Sequence, residues 1–401
     1  MDLTRVRADT PGCSHRIHLN NCGASLMPQP VLDVILGHLE LESRIGGYEA
    51  AAEAGPDIEA AYGAIADLLA TSSGNVAFTE HATAGFVQAL SSVPLSRGDV
   101  VLTTRHDYVS NQIQYLSLME RVGVEVVRAP DAPQGGVDVQ AMDELMHRRR
   151  PRLVAVTHIP TNSGLVQDVT AIGALCRKRD VLYLVDACQS VGQMSVHPES
   201  IGCDFLSATS RKFLRGPRGA GFLWVSDRAL ESGLSPLFPD LRGADWVDGD
   251  LFQPAPDARR FETWEFAWSL VLGTAEAARY AMALGLEEIH ARCGELAASL
   301  REGLAVLPGV RVLDRGPELC AIVTVSVEGH RPAELVAALR ERGINTSSQT
   351  RIDAVLDYDQ KGVDGALRIS PHYFNTQADL TALTEALGEL TEDKRGHPSR
   401  S

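Results

Sequence analysis

The chain has 401 residues, 44% of them hydrophobic, and carries 37 Lys+Arg against 52 Asp+Glu for a formal net charge of −15. That length allows a full core and about two domains, while the acidic balance argues against a nucleic-acid or anionic-membrane partner, since both need a positive footprint. No stretch reaches the ~18 apolar residues of a membrane span, and the charged N-terminus lacks an apolar leader core, so a cytoplasmic protein is expected.

Along the chain, short apolar, β-branched runs alternate with amphipathic stretches, the pattern of a mostly parallel sheet with helices on both faces. Strands are predicted at 75–79, 100–103, 124–128, 153–157, 181–186, 205–208 and 221–225, with helices at 58–70, 83–92, 113–122, 139–147 and 171–179. The basic run Arg148-Arg149-Arg150 before Pro151 reads as a solvated helix end. The stretch 226–260, rich in Pro, Gly and Asp, reads as a long irregular excursion of the kind that is usually functional. One or two long helices follow over 268–307, then strands at 310–314 and 322–327, a helix at 332–342, a strand at 367–370 and a helix at 376–390. The expected division is an N-terminal segment 1–45 packed with the small domain, a large domain 46–265, a smaller C-terminal α/β domain 266–392 and a polar tail 393–401. The seven cysteines form an odd, scattered set without a CxxC pair, which predicts small buried hydrophobes and neither a disulfide scaffold nor a metal centre.

Three segments carry chemistry. Lys212 follows a strand and stands among Thr209, Ser210 and Arg211, with Gly216 and Gly219 close behind; it is either a surface lysine before a glycine turn or an amine facing an anionic ligand. Asp186 ends a buried strand at the carboxyl edge of the sheet, where α/β proteins bind ligands, and Gln189 follows it; it is either a turn or helix cap or a carboxylate holding a cationic ring nitrogen. In Phe78-Thr79-Glu80-His81-Ala82-Thr83 a strand passes into a helix start, which is an ordinary N-cap or an anion site. Together they are the parts that pyridoxal 5′-phosphate (PLP) requires: a Schiff-base lysine, an acid for the pyridine nitrogen and a phosphate cradle.

With the motifs Leu19-Asn20-Asn21-Cys22-Gly23-Ala24, Ala82-Thr83, Thr157-His158-Ile159-Pro160-Thr161-Asn162-Ser163-Gly164, Asp186-Ala187-Cys188-Gln189, Arg211-Lys212 and Leu367-Arg368-Ile369-Ser370-Pro371, the chain resembles the class V aminotransferases of PLP fold type I over residues 17–390. The resemblance implies a mostly parallel central sheet with helices on both faces, a smaller C-terminal α/β domain, and a homodimer with its sites at the interface. It implies Lys212 as Schiff-base lysine and proton carrier, Asp186 at the pyridine nitrogen and Gln189 at the ring hydroxyl. Ala82, Thr83, Thr209 and Arg211 fall at the phosphate contacts, and Tyr108, with His106 as the alternative, at the ring-stacking position. His158 belongs to the cofactor-binding set, and Thr161 or Asn162 to the ring-hydroxyl side. Arg368 matches the arginine that holds a substrate α-carboxylate, and Asn20 and Gly23 match a segment that folds back over the substrate.

Two departures narrow the reaction. The loop ahead of Arg368, residues 345–358, has no cysteine where cysteine desulfurases carry their nucleophile, and Cys320 lies in an apolar strand. After Arg260-Phe261-Glu262 the chain reads Thr263-Trp264-Glu265 in place of a Gly-Thr pair, which resembles the isopenicillin N epimerase-like and cysteine C–S lyase branch. Trp264 then either closes the neighbouring subunit's pocket or packs at the dimer interface. The expected activity is β-elimination on an S-substituted cysteine or its sulfoxide in natural-product or ergothioneine-like sulfur metabolism. Epimerisation, transamination or decarboxylating deamination of a related amino acid is the alternative.

Overall fold

The computed structural model describes residues 1–396. Strand β1 (Ile17–His18) precedes a seven-stranded sheet built from β2 (Val76–Thr79), β3 (Val100–Thr104), β4 (Glu125–Ala129), β5 (Leu153–Thr157), β6 (Leu182–Asp186), β7 (Phe205–Thr209) and β8 (Gly221–Val225), in the order β2-β8-β7-β6-β5-β3-β4. The pairs from β7 through β4 are parallel and only β8 runs against its neighbours. Every residue of β2, β3, β5, β7 and β8 is buried, as expected when helices cover both faces and the strands lose the alternation of a half-wet sheet. The predicted strands are therefore the observed ones to within a residue or two at most ends.

The excursion is less irregular than its composition suggests. It holds a short helix, Asp227–Glu231, and an antiparallel hairpin of β9 (Ala244–Asp248) and β10 (Leu251–Pro254). What pins it is the Arg260-Phe261-Glu262 run. Arg260 donates to the carbonyls of Ala255, Leu230, Leu234 and Pro256. The buried Glu262 carboxylate accepts from Phe78 N at 2.8 Å, Tyr62 Oη at 2.9 Å and Arg242 Nε at 2.7 Å. Those donors offset part of the cost of leaving water, and burial still raises the pKa of this carboxyl.

The long helical stretch divides into Trp268–Leu284 and Leu286–Ala305 at Gly285, whose φ of 88° favours a residue without Cβ. Beyond it, β11 (Val310–Val312), β12 (Val323–Val327), β14 (Ser347–Thr350) and β15 (Gly365–Ile369) form an antiparallel sheet in the order β11-β12-β15-β14, while β13 (Ile344–Asn345) pairs in parallel with β1. Asn20 bridges to Ser370 next to that pair, so the N-terminal strand enters beside the strand that carries Arg368. The last helix, Gln377–Gly396, runs into the predicted polar tail, and residues 397–401 lie outside the described residues. Among the described residues no helix is long and apolar enough to cross a membrane.

Candidate active site

The parallel strands deliver the site by ending side by side. β2, β3, β5, β6 and β7 point their carboxyl ends to one edge of the sheet, and the segments that follow them carry Ala82-Thr83, Tyr108, Thr161, Asp186-Gln189 and Thr209-Lys212. The antiparallel β8 starts at the same edge, with Gly221 opposite Thr79 and Thr209. A Cβ on Gly221 would lie 2.8 Å from Ala82 N, so only glycine lets that strand pass under the helix Ala82–Ser92. This helix is capped by His81, whose Nδ1 accepts from Ala84 N at 3.0 Å; its first N–H groups and the half-buried Thr83 form an anion cradle by position.

Lys212 is 7% exposed, and its amine has neither a hydrogen bond nor an ion pair among the described residues. Its nearest aromatic is Tyr108, whose ring centroid lies 5.8 Å from Nζ. Burial pushes the amine below the ordinary lysine range, and the Arg211 and Arg368 cations push the same way against Cys188 and Asp186. The chain after Lys212 is locked by Arg215, which holds φ at 63° and is fully buried. Its guanidinium donates to Leu26 O, Tyr373 Oη and Thr10 Oγ1 at 2.6–2.8 Å, which offsets the strain of a left-handed residue.

Asp186 is buried and doubly held: Asn111 Nδ2 donates to Oδ2 at 3.1 Å and Cys188 N to Oδ1 at 3.0 Å. Asn111 in turn donates to Asp107, whose carboxylate also accepts from Thr103, Thr157, Gln112 and the Tyr108 N–H. Asp107 thus fixes both the backbone at Tyr108 and the amide that orients Asp186. Burial still raises its pKa against those donors. Neither Asp107 nor Asn111 was singled out by sequence; both lie in the segment around Tyr108, where an Asp followed four residues later by Asn was the available signal.

Arg368 donates from Nη1 to Thr161 O at 3.0 Å and Thr161 Oγ1 at 2.5 Å, and from Nε to Ser347 Oγ at 3.0 Å. Gln189 Nε2 donates to the same Thr161 hydroxyl and to Cys22 O, both at 3.1 Å, while its Oε1 is buried without a partner. The N-terminal segment closes this side: Asn21 Nδ2 donates to Ser370 O at 2.7 Å, Cys22 N to Ser370 Oγ at 2.9 Å, and Ser25 N to Arg211 O at 2.8 Å. Asn20 Oδ1 is likewise buried without a partner, and a Cβ on Gly23 would fall 2.5 Å from it.

Several expected members stand elsewhere. Asn162 donates to Asp357 Oδ2 at 2.7 Å, so of the two adjacent candidates it is Thr161 that joins Arg368 and Gln189. His158 sends its ring to no hydrogen bond among the described residues and instead lines a separate cleft of about 680 Å³ with Gly136, Val166 and Met194. The His106 ring lies between Asp131 and Asp357, which leaves Tyr108 beside Lys212. Arg211 donates from Nη1 to Gly23 O, a partner in the N-terminal segment that sequence did not foresee. Thr209 Oγ1 donates to Ala220 O at 3.3 Å. Trp264, 47% exposed, walls a cleft of about 590 Å³ with Tyr48, Arg242, Phe266 and Trp268, apart from Lys212 within one chain.

The profile of the family described as Aminotransferase class-V matches residues 17–383, and the chain belongs to that family. It is a PLP-dependent enzyme. A probable cysteine desulfurase from Xylella fastidiosa is 28% identical over 404 residues, covering 96% of this chain and 95% of the other. A probable hercynylcysteine sulfoxide lyase from Mycobacterium tuberculosis is 29% identical over 382 residues, covering 95% and 91%. The apo structure of the cysteine desulfurase from Thermococcus onnurineus NA1 superposes with a TM-score of 0.89 over 97% of this chain and 98% of that one at 23% identity, which shows the shared fold. The residues present fit the cofactor on this structure's own terms: a buried amine without a partner, a fixed buried carboxylate, a helix start passed by a glycine, and two buried side-chain oxygens left without donors.

Two outcomes follow. Replacing Lys212 with Ala is expected to abolish the visible absorbance of the PLP-loaded protein while weak, phosphate-dependent binding persists; an unchanged spectrum would mean the cofactor is held by another amine. Burial pushes the pKa of the His158 imidazole down to about 4, whereas the unfolded chain takes up that proton near the ordinary histidine value of 6.5. The unfolded state therefore binds more protons between those values, and stability present above pH ~6.5 falls by up to about 3 kcal/mol as the pH drops to ~4. Denaturant titrations across that range are expected to show a shallower loss for His158→Gln.

Proposed function

We infer that the protein catalyses β-elimination from an S-substituted cysteine or its sulfoxide, using one water to give a thiol or a sulfenic acid together with pyruvate and ammonia. The observation that carries the reading is the segment before Arg368, which presents Ser347, Ser348 and Thr350 and contains no thiol from residue 321 onward. The nearest preceding cysteine, Cys320, is buried, and burial pushes its thiol up to about 12. Burial, followed by the Asp186 charge, raises Cys188 as well. A protonated thiol is a poor acceptor for sulfur, which supports a sulfur that leaves the substrate without passing to either of these two cysteines. The names of the two relatives, a desulfurase acting on cysteine and a lyase acting on a cysteine sulfoxide, support a sulfur leaving group.

The chain's residues divide the work. Arg368, pre-oriented by Thr161 and Ser347, receives the substrate α-carboxylate through its planar fork. Lys212, whose lowered pKa leaves more neutral amine near neutral pH, takes the proton from Cα. When bound, PLP supplies the sink for the electron pair left there. Asp186, kept in place by Asn111, would be the acid for the ring nitrogen, and Tyr108 would cover the ring. Ala82 and Thr83 would take the phosphate, and Gln189 the ring hydroxyl. Asn20 and Gly23, tied to Ser370 and Arg211, close the substrate side against water.

Two chains form the working unit in this reading. The β9–β10 hairpin leaves Trp246 80% and Phe252 53% exposed and pairs them across its strands, and Leu237, Phe238 and Leu241 nearby are also exposed. Apolar side chains in that number support an interface between copies, and in this reading a second copy would bring Trp264 to the rim of its partner's pocket. Light scattering behind size exclusion is expected to give two chains per particle, with the double variant Trp246→Ser, Phe252→Ser shifted towards one; an active wild-type monomer would end this reading of Trp264.

The reaction is tested with S-methyl-L-cysteine and its sulfoxide, a lactate-dehydrogenase-coupled pyruvate assay and intact mass of the protein after turnover. Pyruvate in step with substrate loss, without a sulfur adduct on the protein, is expected. Alanine together with a methyl disulfide on any of the seven cysteines, or with a persulfide when L-cysteine is supplied instead, would replace elimination by desulfuration.

A further inference from the structure

Asn162 stands next to Thr161, yet its side chain turns away from Arg368 to a second cluster. Asp357, 2% exposed, accepts there from Asn162 Nδ2 and from Lys361 Nζ on the same Oδ2, both at 2.7 Å. Its other oxygen lies 3.5 Å from His106 Nδ1, and the far nitrogen of that ring is 3.4 Å from Asp131 Oδ2, which Arg105 also approaches at 3.4 Å. The loop Thr161–Asn162 is therefore held at two adjacent residues by two elements of the C-terminal unit: Thr161 by Arg368 on β15, and Asn162 by Asp357 on the helix Val355–Lys361 that leads into β15.

We propose that Asp357 is a positioning residue for the anion receptor formed by Thr161 and Arg368. The Thr161 carbonyl that accepts from Arg368 belongs to the Thr161–Asn162 peptide, so anchoring the Asn162 side chain fixes that carbonyl. The same carboxylate fixes the helix that sets where Arg368 enters. Lys361 and His106 stop Asp357 from swinging out of register, since both of its oxygens then face a nitrogen. A guanidinium held by Ser347 on one side and by an anchored peptide on the other keeps its remaining donors aimed at a carboxylate, and misplacement of a positioned group by even 1 Å is costly. Asp357 touches neither Lys212 nor Arg368 and acts only through Asn162 and the helix.

The inference rests on Arg368 as the carboxylate receptor, and the experiment separates the two. The holoenzyme and its Asp357→Ala, Asp357→Asn and Arg368→Ala variants are titrated with L-alanine, a carboxylate probe without a leaving group, and with 2-(methylthio)ethylamine, an amine without a carboxylate; binding is read from the cofactor absorbance. Steady-state constants for S-methyl-L-cysteine accompany them. Asp357→Ala is expected to weaken L-alanine about tenfold, the scale of one lost charge-assisted hydrogen bond, to raise KM similarly, to change kcat little and to leave the amine unaffected. Asp357→Asn is expected to recover part of the loss, because its amide oxygen still accepts from Asn162. Equal loss for L-alanine and the amine, or no loss for either, while Arg368→Ala weakens L-alanine strongly, would overturn the role of Asp357 alone. An Arg368→Ala variant that binds L-alanine as the wild type does would overturn the receptor and the positioning role together.

Discussion

Lys212 is an amine taken out of water without a carboxylate to receive it, and most of what surrounds the site keeps it in that condition. A buried lysine usually finds an acid or gives up its proton. Here the acid within range, Asp186, is already committed to Asn111 and the Cys188 N–H, while Arg211 and Arg368 add charge of the wrong sign. The turn that delivers the lysine is itself strained, with Arg215 at φ 63° fastened by three hydrogen bonds and stacked over Tyr373 and Phe374. An amine prepared in this way holds its proton less tightly than an ordinary lysine.

The polar groups at the strand ends fall into two kinds. Asp107 and Glu262 are well supplied: each collects donors from several elements, which add rigidity and offset part of a burial cost that still raises both pKa values. Gln189 Oε1 and Asn20 Oδ1 are buried and unpaired. Groups of the first kind set the coordinates of Asp186, Tyr108 and the excursion; those of the second are acceptors of the kind that gains most when a ligand supplies a donor.

The central sheet was legible because strands covered on both faces read as unbroken apolar runs, and Asp186 and Lys212 were legible because each stands at the end of such a run. Loops have no periodicity, so a one-residue choice such as Thr161 against Asn162 could only be decided by long-range partners: Arg368 lies 207 residues from the first and Asp357 lies 195 from the second. His158 misled for a related reason. It directly follows a strand aimed at the site, but its side chain faces the neighbouring cleft. The β9–β10 hairpin escaped notice because its exposed, mixed sequence resembles loop, and the helix Gln29–Ile45 because its apolar stripe is narrow, with only Val31, Ile35 and His38 buried.

The absence of a thiol ahead of Arg368 has a consequence for the substrate. A desulfurase draws sulfur off by attack, so its protein helps to break the C–S bond; in the proposed elimination the bond breaks with only the electron pair at Cα pushing. The ease of that step then follows the acidity of the departing sulfur, which favours a sulfoxide or a thiol of low pKa over a simple alkyl thiolate. The same region is fastened at several points. The segment before Arg368 is tied down by Tyr358 to Gln349, Arg351 to Asp359 and Asp357 to Asn162 and Lys361. A loop that must carry a thiol to the substrate needs freedom to move, whereas one that only has to orient Arg368 gains from being fixed, and the hydrogen bonds here are arranged for the second task.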